Sequence, residues 1–333
     1  MKKKFFQFCF LLSSFCCAAQ TDIRQLHETA KTFMRQGDYA NAIIVLNRGL
    51  QQDPTNAAIS KDLALSYYFQ KDNKKALEII KPLLERQEAD DQSFQIAGYI
   101  YKELNMLKEC EKLYKKGIKR FPKSGPLYNE YGELLWARKN NEAIKEWEKG
   151  IENDPSYSKN YYNACRYYHL ISDKIWTILY GELFVNMEPF SRSTPEIKDI
   201  LLDSYKKLFL NANLEQDARE KSNFEKAFLQ TMNKQSSVAG QGINTESLTM
   251  IRTRFILDWS SDYKTKFPYK LFDYQQQLLQ DGLFDAYNQW IFGSSENLVR
   301  FQNWTVNHTE DYTAFTNFQK GRIFKVPLAQ GYK

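Results

Sequence analysis

The sequence predicts an all-α protein: stacked helix pairs in its first half, then a smaller aromatic-rich helical domain. Three observations point there. A small residue, an aromatic, a second small residue and a proline recur in register about every 34 residues. Glycine and proline are sparse, at 14 and 9 copies in 333 residues, which favours long helices over a turn-rich β-barrel or a collagen-like chain. Residues 245–333 show none of the sustained apolar–polar alternation of a half-buried strand. The length allows more than one packed core.

The N-terminus comes first. Lys2, Lys3 and Lys4 precede a short apolar stretch from Phe5 to Phe15, and Cys17-Ala18-Ala19 supplies small residues before the polar Gln20. This is the layout of a secretory signal peptide over residues 1–19, cleaved after Ala19. The apolar stretch is too short to span a bilayer. A lipoprotein signal at Cys16 or Cys17 fits poorly, because Ser13 and Phe15 precede the first and Ser14 and Cys16 the second where Leu and a small residue belong. Cleavage removes three lysines and lowers the formal charge of +6 by three, so charge does not point to nucleic acid. The expected location is the periplasm or cell envelope, with no integral membrane span in the mature chain.

The repeats occupy residues 20–190. With Ile23 as position 1 of the first unit, position 8 is Ala30, position 11 Phe33, position 20 Ala42, position 24 Leu46 and position 32 Pro54. The second unit places Ala64, Tyr67, Ala76 and Ile80 in register and lacks the proline; the third has Gly98, Tyr101, Cys110, Tyr114 and Pro122. The fourth, from Gly125, has Gly132, Leu135, Ala143, Trp147 and Pro155, and is one residue short near Lys139-Asn140-Asn141. The fifth, from Ser158, has Cys165, Tyr168, Thr177, Phe184 and Pro189; its Thr177 and Gly181 depart from the pattern and predict an irregularly packed second helix. Small residues at positions 8 and 20 let two antiparallel helices approach, large ones at 11 and 24 fill the space between units, Gly37 makes a turn, and the proline closes the second helix. No unit buries its apolar face alone.

This pattern over residues 22–190 resembles the tetratricopeptide-repeat family. The resemblance implies a right-handed helical-hairpin solenoid that binds a protein or extended peptide along a concave face lined by first helices. It assigns to that face Arg24, His27, Lys31 and Arg35 in the first unit, then Lys61, Tyr68 and Phe69, then Tyr99 and Lys102. Asn129, Glu133 and Trp136 follow in the fourth, and Lys159, Tyr162, Arg166 and His169 in the fifth. The cations outnumber the acids Glu103 and Glu133, so the expected partner carries carboxylates and apolar anchors. The Lys/Asn/Arg clamp that some members use for a C-terminal carboxylate is not reproduced, since His27 and Lys31 stand in its first-unit positions.

Residues 191–234 read as a degenerate sixth pair that covers the stack: Thr194 caps a helix with Pro195 in its first turn, Ile197, Leu201, Tyr205 and Leu208 follow, and Phe224, Ala227, Phe228 and Met232 make a second stripe. Asn233 to Asn244, with Gly240 and Gly242, reads as a flexible linker. Within the C-terminal domain, residues 235–333, four apolar stripes predict short helices: Leu271, Tyr274, Leu278; Phe284, Tyr287, Trp290, Ile291; Leu298, Phe301, Trp304; Tyr312, Phe315, Phe318. These aromatics are expected to form a core. The run from Leu271 to Trp290 looks like segments of exported tetratricopeptide-repeat proteins of Gram-negative bacteria, a likeness that brings no activity with it.

Little points to catalysis. His27, His169 and His308 are scattered, no paired cysteines or HExxH motif exist, and no phosphate loop or nucleophile elbow occurs, so neither metal nor cofactor is expected. Cys110 and Cys165 replace small core residues two units apart, farther than a disulfide spans, which predicts two free buried thiols. The expected function is an interaction scaffold of the cell envelope. The alternatives are an enzyme in the C-terminal domain, with Asp258, Asp262 and Asp285 as its candidate groups, and a glycan- or peptidoglycan-binding module using exposed Trp and Tyr.

Overall fold

In the computed structural model, which describes residues 22–210, 214, 221–328, 330 and 332, every regular element among the described residues is helical. The expected signal peptide, with Cys16 and Cys17, lies outside the described residues. The chain packs as two compact units, one ending at Tyr114 and one beginning at Lys115.

The first unit contains α1 (Ile23–Arg35), α2 (Tyr39–Gln52), α3 (Ala57–Phe69), α4 (Asn73–Leu84), α5 (Asp91–Glu103) and the start of α6 (Leu107–Arg120). Asp22, Asp38, Asn56, Asp72 and Asp90 begin the first five of these helices, each side chain accepting a bond from a backbone N–H of the first turn. Each such cap contributes about 1 kcal/mol. Ala30, Ala42, Leu46, Ile59 and Leu63 form one apolar cluster, with Phe33 and Tyr67 packed against it.

Position 15 of every repeat is left-handed. Gly37 has φ 76°, and the same place holds Lys71 at 65°, Asn105 at 56°, Lys139 at 56° and Ser172 at 62°. The hydrogen bonds repeat as well: Asp38 N donates to Phe33 O, Asp72 N to Tyr67 O, Met106 N to Tyr101 O, Asn140 N to Leu135 O and Asp173 N to Tyr168 O. The turn geometry therefore overrides residue identity in four of the five repeats. It also relocates the shortened part of the fourth unit. Its turn is intact, and the missing residue comes out of the next helix, which starts only at Ala143.

The second unit holds α7 (Gly125–Ala137), α8 (Ala143–Asn153), α9 (Ser158–Leu170), α10 (Lys174–Met187), α11 (Thr194–Leu208), α12 (Asn223–Asn233), α13 (Ser236–Ala239), α14 (Thr245–Asp262) and α15 (Lys270–Gln280). These are followed by α16 (Phe284–Asn288), a π-helical turn (Gln289–Gly293), α17 (Ser294–Glu296), α18 (Leu298–Asn307) and α19 (Thr309–Lys320).

The expected irregularity of the fifth repeat is not found. α10 is an unbroken helix with residues 175–186 all buried. A Cβ at Gly181 would lie 2.9 Å from Cys165 Sγ and 3.2 Å from an Ile197 methyl, so the missing side chain is the space that Cys165 and α11 fill. Cys110 and Cys165 are both free and buried. Their thiols donate to Gly98 O and Thr177 O.

Three further expectations change in the C-terminal part. Thr194 does not cap α11; it is already helical, and its hydroxyl donates back to Glu188 O. The expected linker from Asn233 to Asn244 is folded, with Gln235, Val238 and Ala239 buried and a short helix within it. The stripe Leu298, Phe301, Trp304 lies on α18, where no residue is buried, so it is not core. The sequence places boundaries at residues 190 and 234; the packing runs across both, because Glu182 of α10 is bonded to α14, α15 and α16. The other aromatic stripes do form core: Tyr274, Tyr287, Trp290 and Phe315 are buried.

Candidate partner-binding face of the first helices

First helices touch first helices within each unit: α1 with α3 and α3 with α5 in one, α7 with α9 and α9 with α11 in the other. Residues 34 positions apart on these helices are therefore neighbours, and this contact determines what becomes of the expected groove side chains.

In the first unit several of the expected groove side chains already have acidic partners. His27 Nε2 lies 2.7 Å from Asp62 Oδ2 across α1 and α3. Lys61 pairs with Asp90, the cap of α5. Lys31 pairs with Glu28 one turn away at 2.9 Å. Arg24 and Arg35 make no ion pair among the described residues; Arg35 donates to the Thr32 hydroxyl and helps lower the Glu28 carboxyl. The aromatics form a continuous row. Tyr39 stacks on Phe69 at 4.8 Å between centroids, Phe69 meets Tyr68 edge-on at 5.4 Å, and Tyr68 lies 6.1 Å from Tyr99. The Lys71 ammonium sits 5.7 Å from the Tyr68 centroid and that of Lys102 sits 5.1 Å from Tyr99. Phe69 remains 47% exposed. Tyr39 is the member that position counting misses, because it starts a second helix.

In the second unit Trp136 packs on Trp147 and Tyr167, at 6.2 and 5.6 Å, and stays partly exposed. Lys159 is exposed. Tyr162 donates through its hydroxyl to Glu196 at 2.8 Å, and Arg166 Nε reaches the other oxygen of that carboxylate at 3.1 Å. Burial and the Glu196 bond raise the Tyr162 phenol above its ordinary value. His169 Nδ1 is 3.8 Å from Asp203. Burial and then Lys207 hold its imidazole below the usual histidine range, against the pull of Asp203. Asn129 is fully buried and receives a bond from Asn163 at 2.8 Å, so it does not line an open face.

The basic face expected from the sequence is therefore compensated in part, at Lys31, Lys61 and Arg166. Asp62, Asp90, Glu196 and Asp203 are the acids that position counting omits. Two of them, Glu196 and Asp203, stand 34 residues after Tyr162 and His169 on α11; extending the repeat one unit further would have found them.

Of the carboxylates of the enzyme reading, Asp258 and Asp262 lie one turn apart on α14 beside Lys234, and neither is among the charges that act on Asp285. Asp258 accepts from Gln235 and Asp262 pairs with Lys234. Burial pushes the Asp285 carboxyl up, with His308 pulling it down and Asp311 and Glu246 adding to the rise. An internal cavity of about 10 Å³, bordered by Glu182, Arg252 and apolar side chains, holds one water at most. Among the described residues no cluster of three His, Cys, Asp or Glu is placed to hold a metal. No helix among them is long and apolar enough to cross a membrane.

A family model described as tetratricopeptide repeat matches residues 33–96. A search of the curated proteins finds no match. Among solved structures, the chain is similar to a thermophilic tetratricopeptide-repeat protein of Thermus thermophilus, with 14% identity over 54% of this chain and 99% of that one and a TM-score of 0.46. It is also similar to pilF of Pseudomonas aeruginosa, with 12% identity, 77% and 96% coverage and a TM-score of 0.48. A tetratricopeptide-repeat protein from Parabacteroides merdae gives 14% identity, 78% and 98% coverage and 0.43. With residues 33–96 matched across the pairs α1–α2 and α3–α4 and into α5, this all-α chain carries tetratricopeptide repeats.

Proposed function

We propose that this protein is an exported scaffold of the cell envelope that holds an extended peptide segment, bearing carboxylates and apolar side chains, on its first-helix face. The tetratricopeptide fold supports protein–protein interaction in general. The observation that carries the narrower reading is the aromatic row Tyr39, Phe69, Tyr68 and Tyr99, flanked by the ammonium groups of Lys71 and Lys102. Partly exposed rings offer apolar area at low entropic cost, and adjacent cations suit a segment that carries both acids and apolar groups. With His27, Lys31 and Lys61 already facing acids, long-range steering on the first unit falls to Arg24 and Arg35.

The test is binding to an immobilised array of extended acidic–apolar peptides. Arg24→Glu with Arg35→Glu should weaken binding about tenfold at low ionic strength, with the loss shrinking as salt rises. Phe69→Ala with Tyr99→Ala should weaken it at every salt concentration. Array binding unchanged by both double variants would reject this face. Export has its own readout: the mature chain recovered from an envelope fraction should begin at Gln20, and a chain that still begins at Met1 would reject it.

A further inference from the structure

The segment after α19 binds the body of its own unit as a ligand would. Residues 322–327 form no regular structure, and Arg322, Ile323, Lys325, Pro327 and Leu328 are exposed. Three side chains anchor it. Phe324 meets Tyr274 edge-on at 5.1 Å. Gln330 Oε1 accepts from Lys270 N at 2.8 Å, at the start of α15, where the N-cap Tyr269 provides no capping side chain. Tyr332 enters an aromatic socket: it stacks on Phe224 at 4.6 Å and 10°, with Phe267 at 5.8 Å edge-on and Tyr269 at 6.0 Å.

The socket also has polar complementarity. The Tyr332 hydroxyl donates to Pro268 O at 2.7 Å, and the hydroxyl of Ser222 donates to Tyr332 O at 3.4 Å. The ring stack selects an aromatic, Pro268 O selects a phenol over a phenyl, and the α15 amide selects an acceptor two residues earlier. Phe224 and Tyr269 are only 2% and 3% exposed with the ring in place. The walls come from α12 and from the connection between α14 and α15, so the ring can leave without unwinding a helix. A segment with few buried contacts opens far more readily than the fold as a whole.

We propose that the socket of Phe224, Phe267 and Tyr269 is a recognition site for tyrosine on an extended segment with an amide side chain two residues before it, and that Tyr332 closes it in cis. A partner segment of this chemistry docks by displacing the chain's own tail. This site stands independently of the first-helix face.

The experiment uses a fluorescein-labelled peptide of residues 322–333 and the full-length chain, read by anisotropy. The Tyr332→Ala chain should bind the peptide, and the wild-type chain about tenfold or more weaker, since its tethered tail competes at high effective concentration. A peptide with Phe for Tyr332 should bind about tenfold weaker than the native peptide, for loss of one hydrogen bond, and one with Ala should not bind. Should Tyr332→Ala fail to fold by circular dichroism, the Tyr332→Phe chain keeps the stack, loses the bond to Pro268 O and should bind the peptide more tightly than wild type. A folded variant chain that takes no peptide, equal binding by wild type and variant, or an Ala peptide that binds as well as the native one would overturn the proposal.

Discussion

Arg252 of α14 and Glu182 of α10 form an ion pair in which each side chain is only 1% exposed. The same carboxylate oxygen accepts from Gln275 and from the Tyr287 hydroxyl at 2.8 Å, and Arg252 also donates to Asn288. The fifth repeat is thereby joined to the C-terminal helices through one buried polar centre. Such a pair adds little net stability but is costly to break singly, because the survivor is left charged and dry. Arg252→Met should destabilise the chain by about 3–5 kcal/mol. Adding Glu182→Gln should recover part of that loss in urea unfolding. A double variant no more stable than the single one would contradict this account.

Gly98 and Tyr114 exchange volume within the third repeat. A Cβ at Gly98 would lie 2.0 Å from the Tyr114 hydroxyl oxygen, and one at Gly132 2.3 Å from Trp147 Nε1. In the first two repeats the same two places hold Ala30 with Leu46 and Ala64 with Ile80, all fully or nearly fully buried. Gly98→Ala should cost about 1–3 kcal/mol by overpacking. In the Tyr114→Leu background the same change should cost much less, giving a favourable coupling in a double-mutant cycle. Purely additive effects would count against the volume exchange.

The left-handed residue at position 15 gives an inexpensive stability test. Lys139 holds φ 56° where glycine is unstrained. Lys139→Gly should stabilise thermal unfolding by roughly 0.5–1 kcal/mol, allowing for glycine's extra freedom in the unfolded chain. At Gly37 nothing lies within 4 Å of a new Cβ, so Gly37→Ala should lose about 1 kcal/mol through backbone strain alone.

Lys198 carries a pH dependence. Its ammonium lies 3.8 Å from the Trp290 ring centroid and donates to Trp290 O at 2.7 Å, at the π-helical turn. Burial pulls it down to about 7 from 10.5. A lysine depressed in the folded state is protonated in the unfolded chain between those two values, so the unfolded state binds the extra proton there. Stability contributed by this residue therefore rises from about pH 7 toward pH 10.5 and is flat below. The difference in unfolding free energy between wild type and Lys198→Met should shift toward wild type across that window, by roughly 1 kcal/mol per pH unit. A difference independent of pH would show that Lys198 keeps its ordinary affinity for protons.

The repeat was legible in the sequence because its determinants are local and periodic. Ala30, Ala42, Ala64, Ala76 and Cys110 read as small core residues and are buried without exposure. Proline read as the end of a second helix, and α2, α8 and α10 stop two residues before Pro54, Pro155 and Pro189. What tertiary structure decided depends on pairings between distant residues. The family resemblance assigned Lys61 and Arg166 to the groove as cations; only packing placed Asp90 and Glu196 against them. Gly181 read as a defect until α11 was seen to fill its space. Nothing in the repeat pattern singles out Glu182, whose side-chain partners lie 70 to 105 residues away. Apolar spacing records which side of a helix is buried. It does not record which charge, ring or tail meets that side, because those partners come from elsewhere in the chain.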